Sequence, residues 1–139
     1  MLGADLLTAL GALLGPKPDR RVTVATVGPD GGPHATPMVL GWDHEHLYLS
    51  LTGKQKVRNL ERDPRVCISI GNDDDLAHVI VWGSCAIRHD AWAQQRWDAM
   101  TLQWAGPEIA PAMARTLGPE GTVLGVVTPQ RWRIFPPPA

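Results

Sequence analysis

The segment from Thr52 to Asn59 is the part of the chain whose residue types and spacing are best suited to chemistry. A helix is predicted to begin here, and its first turns carry Lys54, Lys56 and Arg58, with no acidic residue until position 61. Unpaired N–H groups and the dipole of a helix make its N-terminus partly positive, so acidic residues normally occupy the first turn. The positive charges of these three residues therefore repel one another and the positive end of the helix dipole unless an anion binds there.

The position of this segment at a strand-to-helix junction favours phosphate as the anion. Gly53 would let the backbone approach a ligand closely, and Ser50 or Thr52 could add a hydroxyl donor. The alternative is that the basic residues form a solvated helix face. Both interpretations remain open on these residues alone.

A second candidate region is the extended run from His34 to Met38. Pro37 in the middle of this run has no N–H to donate, so the strand must be bulged or lie at a sheet edge. Such a strand exposes backbone N–H and C=O groups that a planar heterocycle could use. The alternative is an ordinary edge strand without a ligand.

The elements that would position these residues are predicted from hydrophobic periodicity and turn residues. Extended segments are expected at residues 22–27, 34–41, 47–52, 66–70, 78–88, 123–127 and 131–135, with a bend at Gly83. Helices are expected at 1–15, 54–62, from Asp90 to about 104, and at 110–117, and the tail 136–139 is expected to fray. This pattern predicts one domain, 1–139, of the mainly β class, an antiparallel barrel with flanking helices.

Composition excludes several classes of protein. The chain has 139 residues, 44% of them hydrophobic, and a net charge of -1, which is typical of a packed domain and not of a charge-rich disordered chain or a general nucleic-acid binder. The apolar N-terminal stretch lacks a basic leader and is too short to span a bilayer. We therefore expect a cytoplasmic protein that binds neither nucleic acid nor membrane.

The remaining reactive side chains give weaker signals. Cys67 and Cys85 lie among apolar residues and are expected to be buried hydrophobes. His44 and His46 alternate in a predicted hairpin tip, but two imidazoles without a third ligand do not define a metal site. No side chain is predicted as a catalytic nucleophile. The tryptophans near the predicted second long helix favour packing or subunit contact; they are Trp92, Trp97 and Trp104.

Three stretches of the sequence resemble the pyridoxamine 5'-phosphate oxidase-like flavin-binding split-barrel family. They are residues 24–38, residues 47–50 and the run KVRNLERDPRV at 56–66, the last being the most specific. Looser matches occur at 81–83 and 128–129. The chain is most similar to the small members of this family that use the deazaflavin coenzyme F420. Residues specific to true pyridoxamine phosphate oxidases are not recognisable, so the resemblance does not imply vitamin B6 synthesis.

The resemblance implies a six-stranded split-barrel homodimer whose cofactor binds in a groove between the subunits. Lys56 would contact the cofactor phosphate, with other donors nearby at Ser50, Thr52, Lys54, Arg58 and Asn59. The ring system would lie against the strand at Thr36, Pro37 and Met38.

The implied activity is hydride transfer between F420 and a small organic acceptor. One alternative is an FMN-dependent oxidoreductase of the same fold. Another is a protein that binds a cofactor or haem without turnover, for which His34, His78 and His89 are conceivable axial ligands.

Overall fold

The computed structural model describes residues 1–51, 54–117 and 123–139, with the side chains of 54 and 113–117 excepted. In the described chain three helices and six strands form. In sequence order they are α1 (Ala4–Leu14), β1 (Arg21–Val27), β2 (Pro33–Trp42), β3 (Leu47–Ser50), α2 (Lys54–Arg62), β4 (Arg65–Gly71), β5 (His78–Arg88), α3 (Ala91–Leu117) and β6 (Leu124–Phe135).

The six strands close into an antiparallel barrel in the order β1-β2-β3-β6-β5-β4. Strand β4 also pairs with β1, which completes the ring. Because side chains alternate across a strand, every second residue points into the barrel. The inward residues Val24, Leu47, Ile68, Val79 and Val127 are fully buried. The predicted six-stranded antiparallel barrel with flanking helices is confirmed.

Helix α1 packs its leucine stripe into the main hydrophobic core. Leu6, Leu10 and Leu14 are buried, one helical turn apart. The helix starts at Ala4, so Leu2 lies before its first turn. Leu2 is nevertheless buried. The Trp132 indole N–H of β6 donates a hydrogen bond to Asp5, 3.2 Å away, and links the helix to the barrel wall.

The last strand corrects one prediction from the sequence. Two separate segments at 123–127 and 131–135 were expected because Pro129 and its neighbours resemble a turn, but β6 runs unbroken. The β5–β6 register shifts between Trp82 and Gly83, where Gly83 pairs with Pro129. A Cβ on Gly83 would lie 2.5 Å from the Thr128 carbonyl oxygen. Gly83 therefore accommodates the irregularity that lets the strand continue, as the bend predicted there implies.

Helix α3 covers the outer face of β3 and β6. Its N-terminus is capped as predicted, because Asp90 Oδ1 accepts a hydrogen bond from the Ala93 N–H at 2.9 Å. A kink at Gly106, with φ of 83°, divides the element into the two predicted helical parts. Trp97 and Met100 are buried in a second apolar cluster with residues of β3 and β6.

Within the described ranges, no helix combines the length and apolar character needed to cross a membrane.

Candidate functional site

The first half of β2 forms an open edge in the barrel. Residues 33–39 pair with β1, whereas β2 pairs with β3 only from Leu40 to Trp42. In the part of the chain that the structure describes, the first seven residues of β2 thus have a strand neighbour on one side only. This is the edge character that Pro37 predicts.

Helix α2 begins at Lys54, shortly after the end of β3 at Ser50. Continuing the Leu40–Leu49 register would place Leu51 opposite Met38, but β3 ends at Ser50, shorter than the predicted 47–52. Because α2 starts at residue 54, its first turn lies within about 10 Å of Leu51, the reach of three extended residues. The helix N-terminus therefore lies close to the end of β3.

Asn59 anchors α2 to the barrel. It is completely buried, and its Nδ2 donates a hydrogen bond to the Thr26 hydroxyl on β1 at 3.1 Å. Its Oδ1 accepts hydrogen bonds from Gln55 at 2.7 Å and from Arg62 at 3.1 Å, and Arg62 also donates to the Val27 carbonyl at 2.6 Å. The side chain of Asn59 thus holds the helix in place against β1.

The cations at the start of α2 lie where the sequence places them. The first turn of α2 contains no acidic residue. Lys56 is half-buried, and burial lowers the pKa of its ammonium group. Arg58 is exposed. Thr52 and the side chain of Lys54 lie outside the described residues. A partly desolvated ammonium at a helix N-terminus is an environment that an anion would stabilise.

Ser50 lies at the end of β3 under helix α3. Its hydroxyl oxygen accepts a hydrogen bond from the indole N–H of Trp97 at 3.0 Å, and Trp97 is buried, 1% exposed. Trp97 therefore connects α3 to the strand end that precedes α2. The sequence predicts Trp97 as a packing residue, but nothing in its spacing indicates this link to Ser50.

The side chains of Thr36, Pro37 and Met38, which the family resemblance places against the cofactor ring, point to two different faces of β2. Thr36 and Met38 pair with Val24 and Val22 of β1 and share their inward face, and Met38 is buried in the core. Pro37 is exposed on the outer face. On the inward face the side chain of Thr36 is half-buried and that of Met38 is buried.

A groove lies on the outer face of β1, β4 and β5. Its volume is about 350 Å³, and Ala25, Cys67 and Trp82 line it side by side on paired strands. The Arg131 guanidinium lies 4.2 Å from the centre of the Trp82 ring. These apolar side chains remain partly exposed.

The histidines noted in the sequence do not come together. In the described ranges, no group of three or more potential ligands could hold a metal ion, and His46 contacts the ring of Tyr48. His78 and His89 lie at opposite ends of β5, and the His78 ring stacks on Phe135. His34 lies on β2, opposite Thr26.

The family profile described as pyridoxamine 5'-phosphate oxidase matches residues 16–135. The chain belongs to this family. The pyridoxamine 5'-phosphate oxidase family comprises flavin-binding oxidoreductases, so the chain has the fold of such enzymes.

Solved structures extend this relationship. An F420 reductase superposes with a TM-score of 0.70 at 26% identity, over 88% of this chain and 94% of that one. A conserved hypothetical protein from Mycobacterium tuberculosis gives a TM-score of 0.74 at 26% identity, over 96% and 85% of the two chains. General Stress Protein 26 from Bacillus anthracis gives 0.68 at 20% identity, over 96% and 95%, which shows the fold alone. No curated protein matches the sequence significantly.

Proposed function

We propose that this chain is an oxidoreductase that binds coenzyme F420 and passes hydride between it and a small organic acceptor. The observation that carries the proposal is the N-terminus of α2, three residues beyond Leu51 and just after the end of β3, where half-buried Lys56 stands in a first turn without acidic residues. The 26% identity to an F420 reductase over most of both chains supports F420 as the cofactor.

The residues present fit a cofactor that has both a phosphate and a planar ring. The start of α2 offers N–H groups, its dipole and the Lys56 ammonium to a phosphate. The open edge of β2 carries two buried polar atoms, His34 Nδ1 and Thr36 Oγ1, without hydrogen-bond partners in the described chain. A polar ligand at this edge would satisfy groups that the protein alone leaves unpaired.

The chain's own residues would bind, orient and shield the cofactor. Bound deazaflavin supplies the hydride chemistry. Lys56 holds the phosphate, Arg58 and Lys54 attract the acidic tail of the coenzyme, and Asn59 keeps α2 in position through Thr26. Rigid placement of the ring by β2 fixes the distance and angle at which an acceptor can approach.

Binding titrations of the cofactor-free protein test this proposal. Lys56→Gln removes the charge but keeps most of the side chain, and loss of a charge-assisted bond to phosphate should weaken F420 binding about 10- to 100-fold. The matched control is Lys17→Gln, since Lys17 is an exposed lysine paired with Asp73 on another part of the surface. Equal affinity of the Lys56→Gln variant and the wild-type protein would contradict the phosphate site.

Parallel titrations decide between the cofactors. FMN also has a ring and a phosphate but lacks the acidic tail, so F420 should bind more tightly and with a steeper dependence on salt. Preference for FMN would make the chain an FMN-dependent oxidoreductase with the same Lys56 site. A haem spectrum on addition of haemin, with no binding of either flavin, would support the non-catalytic alternative.

We propose further that the groove beside Trp82 lies in a homodimer interface that completes the cofactor site. The partly exposed row formed by Ala25, Cys67 and Trp82 gives the outer sheet face an apolar centre, and buried aromatic residues commonly dominate such interfaces. Sedimentation should show a dimer that Trp82→Glu dissociates, whereas Leu76→Glu, at a residue 78% exposed in a loop, should leave the mass unchanged.

A further inference from the structure

The kink at Gly106 divides helix α3 into two arms, and a pocket of about 280 Å³ lies between them. The second arm lines this pocket with Pro107, Ala110 and Pro111, whose side chains are too short to fill the space beside the first arm. Leu102 lines the pocket from the first arm and is 51% exposed, so the pocket is open to solvent there. A dissolved molecule can therefore enter it without unfolding the helix.

The size and lining of this pocket suit a small, mainly apolar molecule. An apolar cavity of about 150 Å³ holds benzene, so a volume of about 280 Å³ has room for about ten non-hydrogen atoms. Most of the lining side chains are hydrocarbon, and the buried ring of Trp97 closes the inner end. Burial of an apolar ligand against these side chains would supply the affinity.

The side-chain donors at the inner end of the pocket are already used within the protein. The Trp97 indole N–H donates a hydrogen bond to the Ser50 hydroxyl at 3.0 Å, and the Thr101 hydroxyl donates to the Trp97 carbonyl at 2.8 Å. Both Trp97 and Thr101 are 1% exposed. Among the described side chains that line the pocket, the polar group left for a ligand is the Asp98 carboxylate, which accepts hydrogen bonds and donates none. A ligand must therefore bring the donor.

The charge around the pocket favours a cation. Asp98 is exposed and forms no ion pair with another described residue, and its Oδ1 accepts a hydrogen bond from Gln94 at 2.8 Å that orients the carboxylate. Arg96, the nearest arginine in sequence, is paired with Asp43 instead, at 3.7 Å. Glu108, which follows a lining residue of the second arm, is also exposed. A positive group at the mouth of the pocket is thus attracted, and a negative one is repelled.

We propose that the pocket between the arms of α3 binds a small apolar amine, with its ammonium group on Asp98 and its hydrocarbon part against Pro107, Ala110 and Pro111. The ammonium group supplies the N–H donors and the positive charge that the carboxylate lacks. The site is built from α3, whereas the cofactor phosphate is assigned to the start of α2. The inference goes beyond the proposed function and does not depend on it.

Three probes with the same ring and similar length test the assignment: cationic 2-phenylethylamine, neutral 2-phenylethanol and anionic phenylacetate. Each is titrated into isotope-labelled protein, and the backbone amide and indole N–H signals are followed by NMR. We expect a Kd of about 1 mM for the amine, about two- to fivefold weaker binding of the alcohol, and the weakest binding for phenylacetate. Signals of Trp97, Leu102 and Ala110 should shift, whereas the indole signal of Trp82 in the barrel groove should not. Equal affinities of the three probes, or no binding of the amine at about tenfold the expected Kd, would overturn the proposal.

Asp98→Asn tests the contact with the ammonium group, because it removes the charge and keeps the shape of the side chain. It should weaken the amine about two- to fivefold and leave the affinity for 2-phenylethanol within about twofold of the wild type. The matched control is Asp74→Asn, at an exposed aspartate in the loop before the other end of β5, which should change neither affinity. Unchanged binding of the amine by Asp98→Asn would overturn the assigned contact.

Ala110→Leu tests the pocket itself by filling it from the second arm. Leucine is a strong helix former, so this variant should keep the melting temperature while weakening both the amine and the alcohol more than about tenfold. Ala99→Leu, at an exposed position of the first arm that does not line the pocket, should bind both probes like the wild type. Wild-type binding by a folded Ala110→Leu variant would place the probes elsewhere and overturn the site. If Ala110→Leu lowers the melting temperature, Asp98→Asn and the NMR signals still decide the question.

Discussion

Replacing Asn59 by leucine tests whether one buried amide fixes helix α2 on the barrel. The substitution nearly conserves volume but removes the donor to Thr26 and the acceptor for Gln55 and Arg62. Thr26 is 3% exposed, so its hydroxyl would lose its donor in a place that water does not reach. The perturbation therefore combines lost hydrogen bonds with an unsatisfied buried group.

The contacts set the size of the effect. An unsatisfied buried polar group costs about 1–3 kcal/mol. Gln55 and Arg62 are exposed and can turn to water, so losing their shared acceptor adds only about 1 kcal/mol in total. Asn59→Leu should thus lower the free energy of unfolding by about 2–4 kcal/mol, or the melting temperature by about 10 °C for a chain of this length.

Urea unfolding followed by the fluorescence of the six tryptophans measures this change. Thr26→Val alone should also destabilise the fold, because it leaves Asn59 Nδ2 without an acceptor. The double variant removes both partners, so its loss should be smaller than the sum of the two single losses by about 1–2 kcal/mol. Strictly additive losses, or a loss below about 1 kcal/mol for Asn59→Leu, would refute the role assigned to this amide. Glu61→Ala, at an exposed residue of the same helix, should change stability by less than about 0.5 kcal/mol.

Two further predictions concern the barrel and the surface beneath α3. A Cβ on Gly83 would lie 2.5 Å from the Thr128 carbonyl oxygen, so Gly83→Ala should lower the free energy of unfolding by about 3 kcal/mol, because overpacking against backbone cannot be relieved by a rotamer change. The control is Gly11→Ala, which has nothing within 4 Å of the added Cβ and should stabilise helix α1 by about 0.5–1 kcal/mol in the same urea assay. Burial and the 2.5 Å hydrogen bond from its hydroxyl to Asp43 raise the pKa of Tyr48. As the pH rises, the tyrosine of the unfolded chain therefore ionises before that of the folded chain. The stability that this shift contributes is complete below about pH 10 and is lost as the pH rises from there toward the folded-state pKa. Tyr48 is the chain's one tyrosine, so phenolate absorbance near 295 nm reports on it alone. This absorbance should appear near pH 10 in the urea-unfolded chain but not in the native protein. Ionisation of Tyr48 in the native protein at that pH would contradict the buried hydrogen bond to Asp43.

Local sequence signals predicted the elements that frame the site. The basic run at 54–58 and the Asp63-Pro64 stop define α2, and its bounds Lys54–Arg62 agree with the prediction. Pro37 predicts an edge strand, because a residue without an N–H restricts pairing wherever it stands. These features depend on neighbouring residues, which the sequence shows directly.

The features that depend on distant pairs could not be predicted in this way. The sequence places Asn59 near a phosphate through family resemblance, but its hydrogen bond to Thr26 joins residues 33 positions apart. Likewise, His34 and Thr36 look like ordinary strand residues until the pairing of β2 shows which atoms stay unsatisfied. The unbroken β6 escaped prediction because the residue that accommodates Pro129 is Gly83, on another strand.

The open edge of β2 also bears on how this chain behaves at high concentration. Unpaired edge strands invite a strand from another molecule, which is a common first step of aggregation. The same seven residues contain Pro33 and Pro37, and neither has an N–H to donate to an incoming strand. Prolines four residues apart thus keep the edge accessible to a small planar ligand while preventing a continuous ladder with a neighbouring chain. Resistance to aggregation and the capacity to bind a ligand would then depend on the same short stretch of backbone.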